Sequence, residues 1–158
     1  MDPREAVTHF RQEHEEFLRF LTLWESALER AASDDPETRR LALHELIELD
    51  HFLKALPEHC REEEEEDARL QLYLDDAVFE KLRQQHALLE QMTAAFRSEL
   101  RLLTTPPPGK ELAAHGRELL RHLRRHIEFE EGLMKEIESG MDAVEGFVLD
   151  CSVVPRED

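Results

Sequence analysis

Residues 104–139 read TTPPPGKELAAHGRELLRHLRRHIEFEEGLMKEIES, and the fold follows from this stretch. Its opening, Thr104-Thr105-Pro106-Pro107-Pro108-Gly109, is the clearest loop in the chain, because each proline fixes φ and removes an amide donor. From about Lys110 to Ser139, Leu112, Leu119, Leu123, Phe129 and Leu133 recur at helical spacing, with charged residues between them. Gly140 reads as the stop. A helix with one apolar stripe must bury it against other helices.

Three more helices lie upstream. One starts near Asp75 or Asp76 and runs through Phe79, Leu82, Leu89 and Phe96 to about Leu103. Before it, a segment capped by Asp35 carries Leu43, Ile47, Phe52 and Leu56, then the acidic run Glu62 to Asp67, then Leu70. Pro57 lies inside that segment and predicts a kink or break one turn before His59. The first helix runs from about Pro3 to Ala32, with Asp2 as cap and Phe10, Phe17, Leu21, Trp24 and Leu28 as its stripe. Short connections make consecutive helices antiparallel neighbours. The expected fold is all-α: an up-down-up-down antiparallel four-helix bundle over residues 1–140. Residues 141–158 form a tail, in which Phe147-Val148-Leu149 and Val153-Val154 read as a short helix or an extended piece across the bundle.

The 158 residues suit one compact domain, and 41% hydrophobic content supplies a core. A formal net charge of -17 argues against nucleic acid and anionic membrane surfaces as partners. Most of that acidity reads as solvated helix faces. Cys60 and Cys151 form no CxxC pair and no disulfide framework. The N-terminus is charged at once, and no apolar run approaches the ~18 residues of a membrane span. A cytoplasmic protein is expected.

His14, His59, His86 and His126 lie one to a helix. Counted from the connecting loops, they fall within about one or two helical turns of one level. Each shares the apolar stripe of its helix. A carboxylate four residues after a histidine sits on the same face, so Glu63 and Glu130 also point inward. Buried carboxylates are costly unless paired or metal-bound. Four imidazoles with two carboxylates in one layer fit two iron ions, and the same donors suit zinc or manganese. The spacing alone carries little: His9/Glu13, His44/Glu48 and His86/Glu90 repeat it in a chain with 37 acidic residues. His9 belongs on the surface, and His44 and His51 lie ~60–80° off the His59 direction. His115 is too far along its helix from His126 to share a metal. Cys60 points away from the His59 direction and reads as a buried thiol.

The blocks His14-Glu-Glu-Phe-Leu, Leu56-Pro-Glu-His59-Cys-Arg-Glu-Glu63-Glu, Leu82-Arg-Gln-Gln-His86-Ala-Leu-Leu-Glu90 and Leu123-Arg-Arg-His126-Ile-Glu-Phe-Glu130-Glu resemble the hemerythrin-like, HHE cation-binding domain family over roughly residues 5 to 138. The resemblance implies a non-haem di-iron centre bridged by two carboxylates and an oxo or hydroxo group. By it, His14, His59, His86 and His126 are terminal ligands, and Glu63 and Glu130 bridge. A ferritin-like site needs E-x-x-H on two helices, and only Glu48/His51 fits.

The third helix departs from the oxygen carriers of that family. They carry H-x-x-x-H there, whereas this chain has Leu82 four before His86 and Glu90 four after. The resemblance then implies an additional open metal position, or a further ligand. His122, one turn before His126, is the first candidate for it, and Glu90 is a weaker one. The expected function is binding of O2 or a related small molecule (NO, peroxide) for sensing or redox response, with Phe10, Phe17, Phe79, Leu119 and Phe129 as apolar walls. One alternative is enzyme-like: peroxide reduction, or repair of nitrosylated iron centres. Another is an iron-responsive or iron-buffering module without O2 chemistry. No segment of the sequence names a redox or protein partner.

Overall fold

In the computed structural model four helices follow one another: α1 Pro3–Ala31, α2 Pro36–Arg69, α3 Asp76–Arg101 and α4 Gly109–Cys151. The structure describes residues 2–70, 73–102 and 109–151, with 67–69 and 144–151 as helical backbone. Residues 103–108, most of the proline loop, and 152–158 of the tail lie outside the described residues.

Local chemistry starts the helices where the sequence indicates. Asp2 closes a capping box with Glu5 ahead of Pro3, so two orphan amides at the start of α1 are satisfied. Asp35 accepts from the backbone N–H of Thr38 at 2.9 Å, and Asp75 from that of Ala77 at 3.2 Å.

Each helix packs on its neighbours in sequence, and α4 closes the ring against α1. Cross-helix pairs fix the directions. Along α1 and α4, Arg4–Asp142, His14–Glu130 and Glu25–Arg124 run in opposite numerical order. Arg30–Glu45 with Glu13–His59 does the same for α1 and α2. Asp50–Arg97 with Glu63–His86 does so for α2 and α3, and Glu99–His115 with Gln85–His126 for α3 and α4. The bundle is therefore up-down-up-down and antiparallel. Among the described residues no helix is long and apolar enough to cross a membrane.

The apolar core has two parts. The larger holds Trp24, Leu28, Leu46, Phe96 and Leu119 and reaches Leu56, Cys60, Leu89 and Leu123. The smaller, at the other end, holds Val7, Phe10, Leu70, Met134, Ile137 and Met141. Among the described residues, buried His14, Glu63, His86, His126 and Glu130 form a polar layer between the two, and buried Thr93 lies within the larger cluster between Leu89 and Phe96.

Four expectations are corrected. Pro57 does not end α2, which continues through it to Arg69. Gly140 does not stop α4, which runs on to Cys151. There glycine serves close approach, since a Cβ would come within 3.3 Å of the Tyr73 ring. Ile47 is exposed and not part of the buried stripe; Leu43, Leu46, Leu53 and Leu56 bury instead. Phe129 is only half-buried, with the Lys81 ammonium 4.4 Å from its ring centroid, so it is no inner wall.

Candidate metal centre

His14, His59, Glu63, His86, His126 and Glu130 converge in a definite pattern. Glu63 Oε1 lies 2.5 Å from His59 Nε2 and 3.8 Å from His14 Nε2. Glu130 Oε2 lies 2.9 Å from the same His14 Nε2. On the other side, Glu63 Oε2 is 3.1 Å from His86 Nε2 and 3.9 Å from His126 Nε2. Glu130 Oε1 is 3.4 Å from His86 Nε2 and directly meets His126 Nε2. Glu63 thus presents one oxygen to His14 and His59 and the other to His86 and His126, while Glu130 presents one to His14 and the other to His86 and His126. The carboxylates divide the layer into a His14/His59 side and a His86/His126 side. On the His86/His126 side the donors of Glu63, His86, His126 and Glu130 all lie within 4.8 Å of one another, a group that could hold a metal ion.

The outer ring nitrogens are engaged as well. His14 Nδ1 donates to Glu131 at 2.7 Å, His59 Nδ1 faces Glu13 at 3.2 Å, and His86 Nδ1 donates to Glu64 at 3.0 Å. His126 Nδ1 donates to the Gln85 amide oxygen at 2.7 Å. An acceptor on Nδ1 holds a ring proton there, so that release of the Nε2 proton to a cation would turn a lone pair toward the interior, as a metal ligand requires. Sequence reasoning missed Glu13, Glu64, Gln85 and Glu131. Glu13, Glu64 and Glu131 are hidden among many acidic residues, and Gln85 carries no charge to draw notice.

Electrostatics within the layer are strong. For His14, burial opposes the charged ring, but Glu130 and Glu63 outweigh it and raise the pKa to about 11. The same opposition leaves His86 at about 10, with Glu130 and Glu63 again responsible. His59 and His126 are raised against burial by Glu63 and Glu130 respectively. Glu63 is held well below the usual carboxylate range by all four imidazoles despite its burial. Glu130, against burial and the Glu63 charge, falls to about 2 under the pull of His126 and His14. The carboxylates are therefore ionised, and in the absence of a cation only protonated imidazoles offset them. A divalent cation would replace those protons on the same donors, so the residues fit metal binding.

The remaining candidates lie elsewhere. His122 is half-buried, with Nε2 3.3 Å from Glu118, and does not face the carboxylate pair. Glu90 is half-buried on α3, outside the group of converging donors. His115 and His51 are exposed, against Glu99 and the Glu48 carbonyl, and His44 is exposed too. His9 is 42% exposed and 3.0 Å from Glu13. Cys60 is buried, and burial with the nearby Glu63 pushes its thiol pKa upward, so it stays a neutral thiol. It lines a cavity of about 20 Å3 that also touches His14, His59, Glu63 and His126, walled by Phe17, Leu56, Leu123 and Ile127. The cavity adjoins the His14/His59 side and has room for about one water-sized molecule.

Compared with known proteins, residues 5–137 match the family model of the hemerythrin HHE cation binding domain. No curated protein and no solved structure matches the chain.

Proposed function

The chain belongs to the hemerythrin HHE cation-binding domain family, and from that premise we propose that its centre holds two iron ions and binds O2 or a related small molecule (NO, peroxide) for sensing or redox response. The observation that carries this reading is the division of the two carboxylates: Glu63 has one oxygen toward His14 and His59, Glu130 has one toward His14, and both turn the other toward His86 and His126. Two sides sharing two carboxylates suit a bridged pair of cations better than a single one.

A di-iron pair supplies two electrons to a small ligand. The protein's part is to shape the surroundings. His14, His59 and His126 line the small cavity, so a small molecule held there would lie beside the residues that would hold the metal. Phe17, Leu56, Leu123 and Ile127 exclude bulk water and limit the guest to a few atoms. Glu13, Glu64, Gln85 and Glu131 hold the rings in orientation through Nδ1. The small cavity favours binding or sensing a diatomic over turnover of a larger substrate. We place this activity in the cytoplasm, with no nucleic acid or membrane partner.

The test is metal analysis of the purified protein with absorption spectra before and after anaerobic reduction and exposure to O2 or NO. The expected result is about two irons per chain and a charge-transfer band that responds to the gas. Fewer than about one iron per chain without such a band would overturn the di-iron reading.

A further inference from the structure

His122 finds its place in a second cavity, on the outer side of His126. This cavity, between α3 and α4, is about 130 Å3, against about 20 Å3 for the one at the His14/His59 side. Its lining is Gln85, Leu88, Leu89, His122, Arg125 and His126. No carboxylate lines it, in a chain where 37 acidic residues outnumber 20 lysines and arginines.

The polar groups that line it are donors. Gln85 spends its amide oxygen on His126 Nδ1, which leaves the carboxamide NH2 to donate elsewhere. Arg125 is exposed and has no acidic partner among the described residues. It also borders a neighbouring groove lined by Arg117, Arg121 and Arg124 together with Glu25 and Glu128; there Arg124 pairs with Glu25 and Arg121 with Glu118, which leaves Arg125 available to an added anion. Opposite these groups stand the apolar side chains of Leu88 and Leu89. A guanidinium fork and an amide NH2 match the two oxygens of a carboxylate. The leucines match a short apolar tail, which an inorganic oxyanion lacks.

We propose that this cavity binds a short-chain carboxylate, held by Arg125 and Gln85 with its tail against Leu88 and Leu89, on the outer side of His126. Its occupant would meet the outer side of the His126 ring and the Gln85–His126 hydrogen bond, away from the Nε2 that faces the carboxylates. The site therefore needs no open metal position, and its test does not depend on the proposed O2 chemistry.

Calorimetric titration of the full chain as purified, with acetate, propionate and phosphate, tests the proposal. Acetate and propionate should bind with a Kd of about 1 mM or tighter, and phosphate more weakly. Arg125→Leu should weaken acetate binding about tenfold or more. So should Gln85→Glu, which keeps an acceptor for His126 but replaces the donating amide by a like charge. His122→Leu serves as a further variant if either of these loses its helical circular-dichroism signal. Arg117→Gln, in the neighbouring groove, should leave the affinity unchanged. No heat from acetate or propionate up to about 10 mM would overturn the proposal. So would equal affinity in Arg125→Leu, loss in Arg117→Gln alone, or phosphate binding as tightly as acetate.

Discussion

The proposed centre would depend most on Glu63 and Glu130, because each carboxylate reaches both sides of the layer. In Glu130→Gln the amide keeps its size but loses the charge that His14 and His126 face. We expect the metal content to fall by at least one ion per chain while helical circular dichroism is retained, as read by metal analysis. Glu131→Ala acts one step further out, by freeing His14 Nδ1. It should weaken metal binding about 10–100-fold in a chelator competition without changing the number of ions at saturation. The metal-free protein should also carry a distinct pH signature. His14 at about 11 and His86 at about 10 are raised above 6.5, so their stabilisation is complete below pH 6.5 and disappears as pH rises toward those values. Glu130 is depressed from 4.5 to about 2, so its contribution is complete above pH 4.5 and fades as pH falls toward 2. Urea midpoints of the metal-free chain should therefore plateau between pH 4.5 and 6.5; a steady rise from pH 6.5 to 10 would contradict this electrostatic account. The inner six residues were legible because they coincide with apolar stripes. Their outer partners were not: Glu64 sits within an acidic run whose members look alike until the fold turns one toward His86.

Two glycines of α4 separate helix propensity from packing. A Cβ on Gly132 would meet nothing within 4 Å, so Gly132→Ala should gain close to the propensity difference, about 0.8–1 kcal/mol. A Cβ on buried Gly116 would collide with Leu28 and come 3.0 Å from the Phe96 ring. Overpacking of about 1–3 kcal/mol should there outweigh the same propensity gain, so Gly116→Ala should lose stability. Urea denaturation of both variants checks the opposite signs. The element boundaries follow the same contest between local signal and packing. Capping residues were readable because Asp2, Asp35 and Asp75 act on amides two or three residues away. Pro57 and Gly140 misled because their local preference is overruled by distant contacts. Leu53, Leu56 and Cys60 bury on both sides of Pro57, and full burial of each leucine offsets about 1.5–3 kcal/mol of the ~3 kcal/mol proline penalty. Ile137 and Met141 bury on either side of Gly140 and hold α4 on course.

At the scale of the whole molecule, the polar layer is braced from both ends by apolar clusters that need no metal. The ionised carboxylates also keep protonated imidazoles as partners when the cations leave. Metal removal should therefore leave a folded bundle, unlike small domains whose core is the metal itself. The stability lost should follow mass action: about 2.7 kcal/mol at free metal a hundredfold above its Kd, read as a lower urea midpoint for the chelated protein. The difference should also depend on pH in a fixed direction. A metal binding His14 and His86 must displace protons held with pKa values of about 11 and 10. Raising the pH removes that competition, so the gap between loaded and metal-free midpoints should widen from pH 6 to pH 8 and be accompanied by proton release on loading. Loss of helical signal on chelation would mean that the layer, and not the two clusters, holds the bundle together. Equal midpoints with and without metal would mean that the six side chains bind no cation tightly enough to matter.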